Sequence, residues 1–248
     1  MDQRTAIYIN GLNVNFGGFA AITNLTLELR YGETRAIIGP NGAGKTTLMD
    51  VITGKTRPTS GEVYLDGKLN LAVLGEATIA RCGIGRKFQK PSVFEALPVA
   101  QNIELAVRNG QGYPAMLASR LSGRQGYRID EVLDTIGLES VRNELAGVLS
   151  HGQKQWLEIG MLLAADPKVL LLDEPVAGMT DQETSRTVEL LARLRSPDRA
   201  IVVVEHDMAF VDAIADLVSV LHEGQVLREG SMDTVRNDPR VVQVYLGR

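Results

Sequence analysis

The chain carries one cysteine, Cys82, among 248 residues, which excludes an intrachain disulfide and a cysteine-rich metal site. A lone thiol suits a reducing compartment. Long apolar runs are missing too. The most apolar helical stretch, around Trp156, is interrupted by Glu158, so no membrane-spanning helix is expected. There is no basic excess: 26 Lys and Arg face 30 Asp and Glu, a net charge of −4, which argues against nucleic acid as a partner. The polar start Met-Asp-Gln-Arg-Thr has no apolar segment behind it, so no secretory leader is expected. Internal repeats and low-complexity tracts are absent. What remains is an ordinary globular composition, 44% hydrophobic and 23% charged, enough to bury a substantial core in one large domain or a domain with a subdomain.

Two strands are expected at 6–16 and 21–29. In the second, Leu25, Leu27 and Leu29 alternate with Asn24, Thr26 and Glu28, the period of a half-exposed antiparallel strand. A short buried strand at 34–38 leads to a glycine-rich loop and a helix at 46–54. A turn at 59–61, a strand at 62–65 and a second turn at 66–67 follow. From about 90 to 165 the pattern is helical: Ile129, Val132, Leu133 and Ile136 recur as one face of an amphipathic helix. The Gly-, Ser- and Arg-rich stretch 109–126 is expected to link helices. After Pro167 strands return at 169–172, 200–204 and 217–221, with a helix at 181–195 and a hairpin through 222–225 to 226–228. Strands alternating with helices predict an α/β fold with a mainly parallel core sheet, an antiparallel β-subdomain at the N-terminus and a helical insertion at about 90–160.

Gly39-Pro40-Asn41-Gly42-Ala43-Gly44-Lys45-Thr46-Thr47 has the form of a phosphate-binding loop, with a strand before it and a helix after it. Its glycines allow backbone N–H groups to turn toward phosphate oxygens, and the helix N-terminus adds a positive dipole end. Lys45 is expected to reach the β- and γ-phosphates, and the Thr46 hydroxyl to ligate Mg²⁺. Val169 to Leu172 then read as a buried strand delivering Asp173 and Glu174 at its C-terminal tip, where open α/β sheets bind ligands. Asp173 suits the Mg²⁺ shell. Glu174, one residue on, is placed to polarise a water that attacks the γ-phosphate.

Two pentapeptides compete for a further role: Leu121-Ser122-Gly123-Arg124-Gln125 and Leu149-Ser150-His151-Gly152-Gln153. Each contains the S-x-x-Q pattern of a helix capping box. Context separates them. Gln153 to Ala165 is a single, largely apolar helix that feeds directly into the 169–172 strand. Ser122 instead precedes the separate helix of Ile129 to Ile136. The function is assigned to 149–153 and a plain cap to 121–125.

With these residues the chain resembles the ATP-binding subunits of ABC transporters over nearly its whole length, which makes 1–248 a single cassette. The family signature Leu-Ser-Gly-Gly-Gln stands here as Leu149-Ser150-His151-Gly152-Gln153, with His151 at the third place. The resemblance implies ATP and Mg²⁺ as ligands, and a dimer in which Ser150, Gly152 and Gln153 close over the γ-phosphate held by another chain. It implies that Gln89 touches Mg²⁺ and the lytic water, that His206 contacts the γ-phosphate, and that Phe16 stacks on adenine, with Tyr8 and Phe19 as rivals. Asn41, Gly42, Ala43, Gly44 and Thr47 complete the nucleotide contacts. Thr180 departs from the aspartate common at its place. The implied partners are integral membrane permease subunits, a second ATP-binding chain (identical or different) and, indirectly, an extracytoplasmic solute-binding protein, at the cytoplasmic face of the membrane. The tail 237–247 and the run Glu174-Pro175-Val176-Ala177-Gly178-Met179-Thr180 resemble importers of branched-chain amino acids and urea, the latter most closely. A soluble ABC ATPase of repair, translation or iron–sulfur assembly is the alternative.

Overall fold

The computed structural model describes residues 4–88, 92–108 and 122–246. They divide into two compact units, one of Met1–Arg86, Lys168–Glu174 and Leu194–Arg248, the other of Lys87–Pro167 and Pro175–Arg193.

The first unit holds two sheets. β1 (Thr5–Phe16) and β2 (Phe19–Arg30) form an antiparallel hairpin. In β2 the leucines of the alternating pattern are buried, and Asn24 and Thr26 face solvent. β3 (Thr34–Ile38) follows and belongs to the second sheet. β4 (Ser60–Leu65) and β5 (Leu69–Asn70) complete the first in the order β2-β1-β4-β5. Ser60 and Gly61 of the turn expected at 59–61 are in fact the beginning of β4, because Asn13 of β1 pairs with Ser60.

The second sheet adds β6 (Ile84–Lys87), β7 (Val169–Asp173), β8 (Ala200–Val204), β9 (Leu217–His222) and β10 (Gln225–Gly230), in the order β10-β9-β3-β8-β7-β6. From β9 to β7 the pairing is parallel, and β10 is antiparallel to β9. β3, β7 and β8 are buried at all five positions, which is why they read as unbroken apolar runs rather than alternating ones. Their side chains still alternate between two cores. Ile37, Leu171, Val202 and Val204 pack with β1, β2 and the Lys45–Ile52 helix. Ala36 and Ile38 pack with Val211, Val235 and Val241 of the short helices Met208–Ile214, Met232–Arg236 and Pro239–Leu246. The α/β organisation is the expected one. The strand β6, the helix Glu76–Arg81 before it and the three C-terminal helices were not anticipated.

The second unit is helical, with helices at Val99–Val107, Gly123–Ile136, His151–Ala164 and Asp181–Leu194. Ile129, Val132, Leu133 and Ile136 are buried as their spacing predicts. Gly160 lets the 151–164 helix approach this face: a Cβ there would meet Ile136 Cδ1 at 2.6 Å. Of the linking stretch 109–126, residues 109–121 lie outside the described residues. Gly123 to Gly126 form a helical turn instead of a link, because Ser122 caps that helix with a complete capping box.

Lys87 and Glu158 are among the charged residues buried in this unit. Lys87 is fully buried, and its Nζ lies 3.9 Å from Glu158 Oε2. Burial pushes the Glu158 carboxyl from its ordinary 4.5 up to about 7, against the opposing pull of Lys87. The folded state therefore binds a proton that the unfolded chain releases at lower pH. This stabilisation is fully present below about pH 4.5 and lost as pH rises through about 7. The thermal midpoint should fall across that window, and Glu158→Gln should flatten the fall. Unfolding curves of both proteins at a series of pH values check it.

Candidate functional site

Gly39 to Thr47 connects β3 to the Lys45–Ile52 helix. Gly44 sits at φ +100°, and a Cβ on it would stand 2.7 Å from the Ala21 carbonyl oxygen, so both its conformation and its packing require glycine. The loop borders a cavity of about 230 Å³ lined by Phe16, Phe19, Ala21, Asn41 to Thr47, Glu174, Val204 and His206. Lys45 is largely buried and donates from Nζ to the carbonyls of Gly39 (2.7 Å) and Pro40 (3.0 Å). Burial lowers its pKa, while Glu174 and Asp173 pull it back up. An ammonium facing only neutral carbonyl acceptors, with carboxylates nearby, is a point charge available to an anion.

Asp173 ends β7 and is buried. Its Oδ2 accepts from Arg86 Nη2 at 2.9 Å, and the same guanidinium donates from Nη1 to Asp50 Oδ1 at 2.5 Å. Glu174 follows at φ +46°, a left-handed conformation that costs a side-chain-bearing residue about 1–2 kcal/mol. Its N–H is held by the Val204 carbonyl at 2.9 Å. The turn aims the carboxylate so that Oε1 lies 3.6 Å from His206 Nε2. One cavity thus gathers Lys45, Thr46, Glu174 and His206.

The aromatic question narrows. Phe16 and Phe19 are register partners at the turn end of the β1–β2 hairpin and both line the cavity, more than half exposed, whereas Tyr8 does not line it. Gln89 lies outside the described residues. Sequence reasoning missed Arg86, whose partners are far away in the chain, and Tyr245. The latter comes from the C-terminal helix, lines a second cavity with Gly39, Pro40, Asn41 and His206, and has its hydroxyl pKa pushed up to about 12 by burial.

A nucleotide with Mg²⁺ fits these residues. Among the described residues no group of three or more His, Cys, Asp or Glu could hold a metal alone. The hydroxyl of Thr46 and the carboxylate of Asp173 are hard oxygen donors of the kind that hold Mg²⁺ jointly with phosphates.

The pentapeptide 149–153 lies in the helical unit. Both competing serines form complete capping boxes, so cap geometry does not separate them. Their further contacts do. Among the described residues the Ser122 hydroxyl bonds within its own box, to Gln125. The Ser150 hydroxyl accepts from the Gln153 N–H (3.2 Å) and donates to Glu183 Oε1 (2.9 Å) on the 181–194 helix. Gln153 returns its Oε1 to the Ser150 N–H at 2.9 Å. The His151 ring turns toward the 176–178 loop, with Nε2 at 3.1 Å from the Ala177 carbonyl oxygen and 3.0 Å from Gln155 Nε2.

A strand–loop–helix that wraps a buried lysine, in a parallel sheet that delivers carboxylates at a strand tip, defines a phosphate-loop nucleoside triphosphatase. The narrower assignment comes from comparison. The family model for ABC transporters matches residues 22–177. The chain is 36% identical over 247 residues to the high-affinity branched-chain amino acid transport ATP-binding protein LivG of Salmonella typhimurium, covering 96% of each chain. It is 35% identical over 253 residues to BraF of Pseudomonas aeruginosa, a protein of the same description, covering 99% of each. The ADP conformation of MJ1267, an ATP-binding cassette of an ABC transporter, superposes with a TM-score of 0.86 at 27% identity, covering 98% of this chain and 99% of that one. The chain belongs to the ABC transporter family and is an ATP-hydrolysing, Mg²⁺-dependent subunit of it.

Proposed function

We propose that the chain powers solute import, with ATP closing two cassette chains over shared nucleotide sites and hydrolysis reopening them. The observation that carries this is the convergence of Lys45, Thr46, Glu174 and His206 on one cavity, next to the buried Asp173. Lys45 exchanges its loop carbonyls for β- and γ-phosphate oxygens, and the backbone of Asn41 to Gly44, with Thr47, cradles them. Phe16, beside Phe19, takes the adenine. Thr46 and Asp173 hold Mg²⁺, with Gln89 as a further ligand. When bound, Mg²⁺ neutralises charge between the phosphates. Glu174 orients and deprotonates the attacking water, and His206, 3.6 Å from it, holds the γ-phosphate side. Ser150, Gly152 and Gln153 serve the nucleotide of the other chain. Both compact units then act as one cassette over 1–248, the helical one inserted in the nucleotide-binding core.

The cargo we propose is a small nitrogenous solute, a branched-chain amino acid or urea. LivG and BraF support the first, the 174–180 run supports urea, and the tail is common to both groups of importers. The relatives' transport descriptions favour this over a soluble repair, translation or iron–sulfur ATPase. No helix among the described residues is long and apolar enough to cross a membrane; docking on permease subunits at the cytoplasmic face is proposed from the relatives' transport descriptions. Pull-down of the tagged chain should bring integral membrane subunits and a cassette partner. Deletion of its gene should abolish growth on low urea, or on branched-chain amino acids, as sole nitrogen source. Unimpaired growth on both together with a membrane-free pull-down would refute the proposal.

A further inference from the structure

Glu183 has no place in the nucleotide site described above, yet its carboxylate collects an unusual set of donors. Oε1 accepts the Ser150 hydroxyl at 2.9 Å. Oε2 accepts the Thr180 N–H at 3.0 Å and the Thr180 hydroxyl at 3.1 Å. The Gly152 N–H is a further donor. The approach is close: a Cβ at Gly152 would stand 2.5 Å from Glu183 Oε1, so a side chain there would displace the carboxylate. These hydrogen bonds, those from Thr180 and Ser150 foremost, hold the carboxyl below its ordinary range, so it is an anion at neutral pH.

Part of this has a structural explanation. Thr180-Asp181-Gln182-Glu183 is a capping box at the start of the 181–194 helix, and the Thr180 bonds belong to it. A capping box does not require the bonds to Ser150 and Gly152. Those two residues supply the hydroxyl and the amide that the pentapeptide would offer to phosphate. A serine hydroxyl has one proton to donate, and here Glu183 takes it.

We propose that Glu183 is a positioning residue for Ser150. Its carboxylate stands where the γ-phosphate of the other chain would bind, holds the hydroxyl in a withdrawn orientation, and has to be displaced each time two chains close over ATP. The proposal rests on the two-chain reading above. It makes Glu183 a setting on the ATP concentration required for closure: two anions cannot share one hydroxyl, so ATP binding competes with an internal ligand.

The test uses the complete transporter, purified with its permease and partner ATPase subunits. Distance labels on the two ATPase chains report closure during an ATP titration, beside KM, kcat and the thermal midpoint. Glu183→Gln keeps a residue able to form the capping box but removes the charge. Its thermal midpoint should stay at the wild-type value, while half-maximal closure and KM shift to about fivefold lower ATP, the discounted effect of one partly exposed charge-assisted bond. Glu183→Ala should show the same shift in ATP together with a lower thermal midpoint, because the cap is lost. Closure of the Gln variant at the wild-type ATP concentration, or a higher one, overturns the proposal and leaves the two-chain reading intact. A wild-type complex that does not close with ATP overturns both.

Discussion

Glu174→Gln should bind MgATP as tightly as the wild-type chain and hydrolyse it about a thousandfold more slowly, the share a positioned general base contributes. The substitution is nearly isosteric. The left-handed backbone at φ +46° and the N–H bond to Val204 belong to the main chain and persist. What disappears is a carboxylate able to accept a proton from water beside His206. Because Lys45, Thr46 and Asp173 are untouched, the binding and catalytic effects separate. Equilibrium binding of a fluorescent ATP analogue and single-turnover hydrolysis in the assembled complex measure the two. Hydrolysis near the wild-type rate would remove Glu174 from the role of base.

The second large effect concerns Arg86. Its guanidinium is buried between Asp50 and Asp173, bonding one through each terminal nitrogen. Arg86→Met fills much of the same volume but takes the guanidinium from both carboxylates, leaving Asp50 its longer contact to Lys55 at 3.6 Å. Removing one partner of a buried ionic cluster costs about 3–5 kcal/mol. For a chain of this size that lowers the thermal midpoint by about 10 °C. Arg86→Lys should fall between, since a single ammonium cannot reproduce two directed bonds from one planar group. The same change loosens the Asp173 carboxylate, so the Mg²⁺ concentration supporting half-maximal ATP binding should rise. Scanning calorimetry and Mg²⁺ titration check both. A midpoint within 2 °C of wild type, on the order of a surface substitution, would show that the triad carries little.

Arg86 also shows where sequence reading stops. The phosphate loop, the strand into Asp173 and Glu174 and both capping boxes were legible because each is contiguous, its chemistry set by neighbours a few residues away. β6 was not. Ile84 to Lys87 is short, and two of its four residues are cations, which on composition read as exposed. They are buried because their counter-charges Asp50, Asp173 and Glu158 arrive from distant parts of the chain. The start of β4 was missed for the same reason: Ser60 is a turn residue by type and a strand residue only beside Asn13. Glu183 lies between these cases. Thr180-x-x-Glu183 is a visible capping box, but its reach to Ser150 is a tertiary fact. The two serine pentapeptides make the converse point: sequence context gives them different roles although their cap geometry is the same, and the reach of Ser150 to Glu183 is a tertiary difference between them.

The chain has one tryptophan, Trp156. It is buried in the helix that Ser150 caps, and its indole N–H bonds Thr187 Oγ1 at 2.9 Å on the helix that carries Glu183. The protein therefore carries its own unlabelled optical probe at the junction of those two helices. Excited at wavelengths that the six tyrosines do not absorb, the chain emits from this single site, so a change in the indole's polarity or hydrogen bonding is read directly. If displacement of Glu183 slides one helix against the other, the wavelength of that emission will record it in real time.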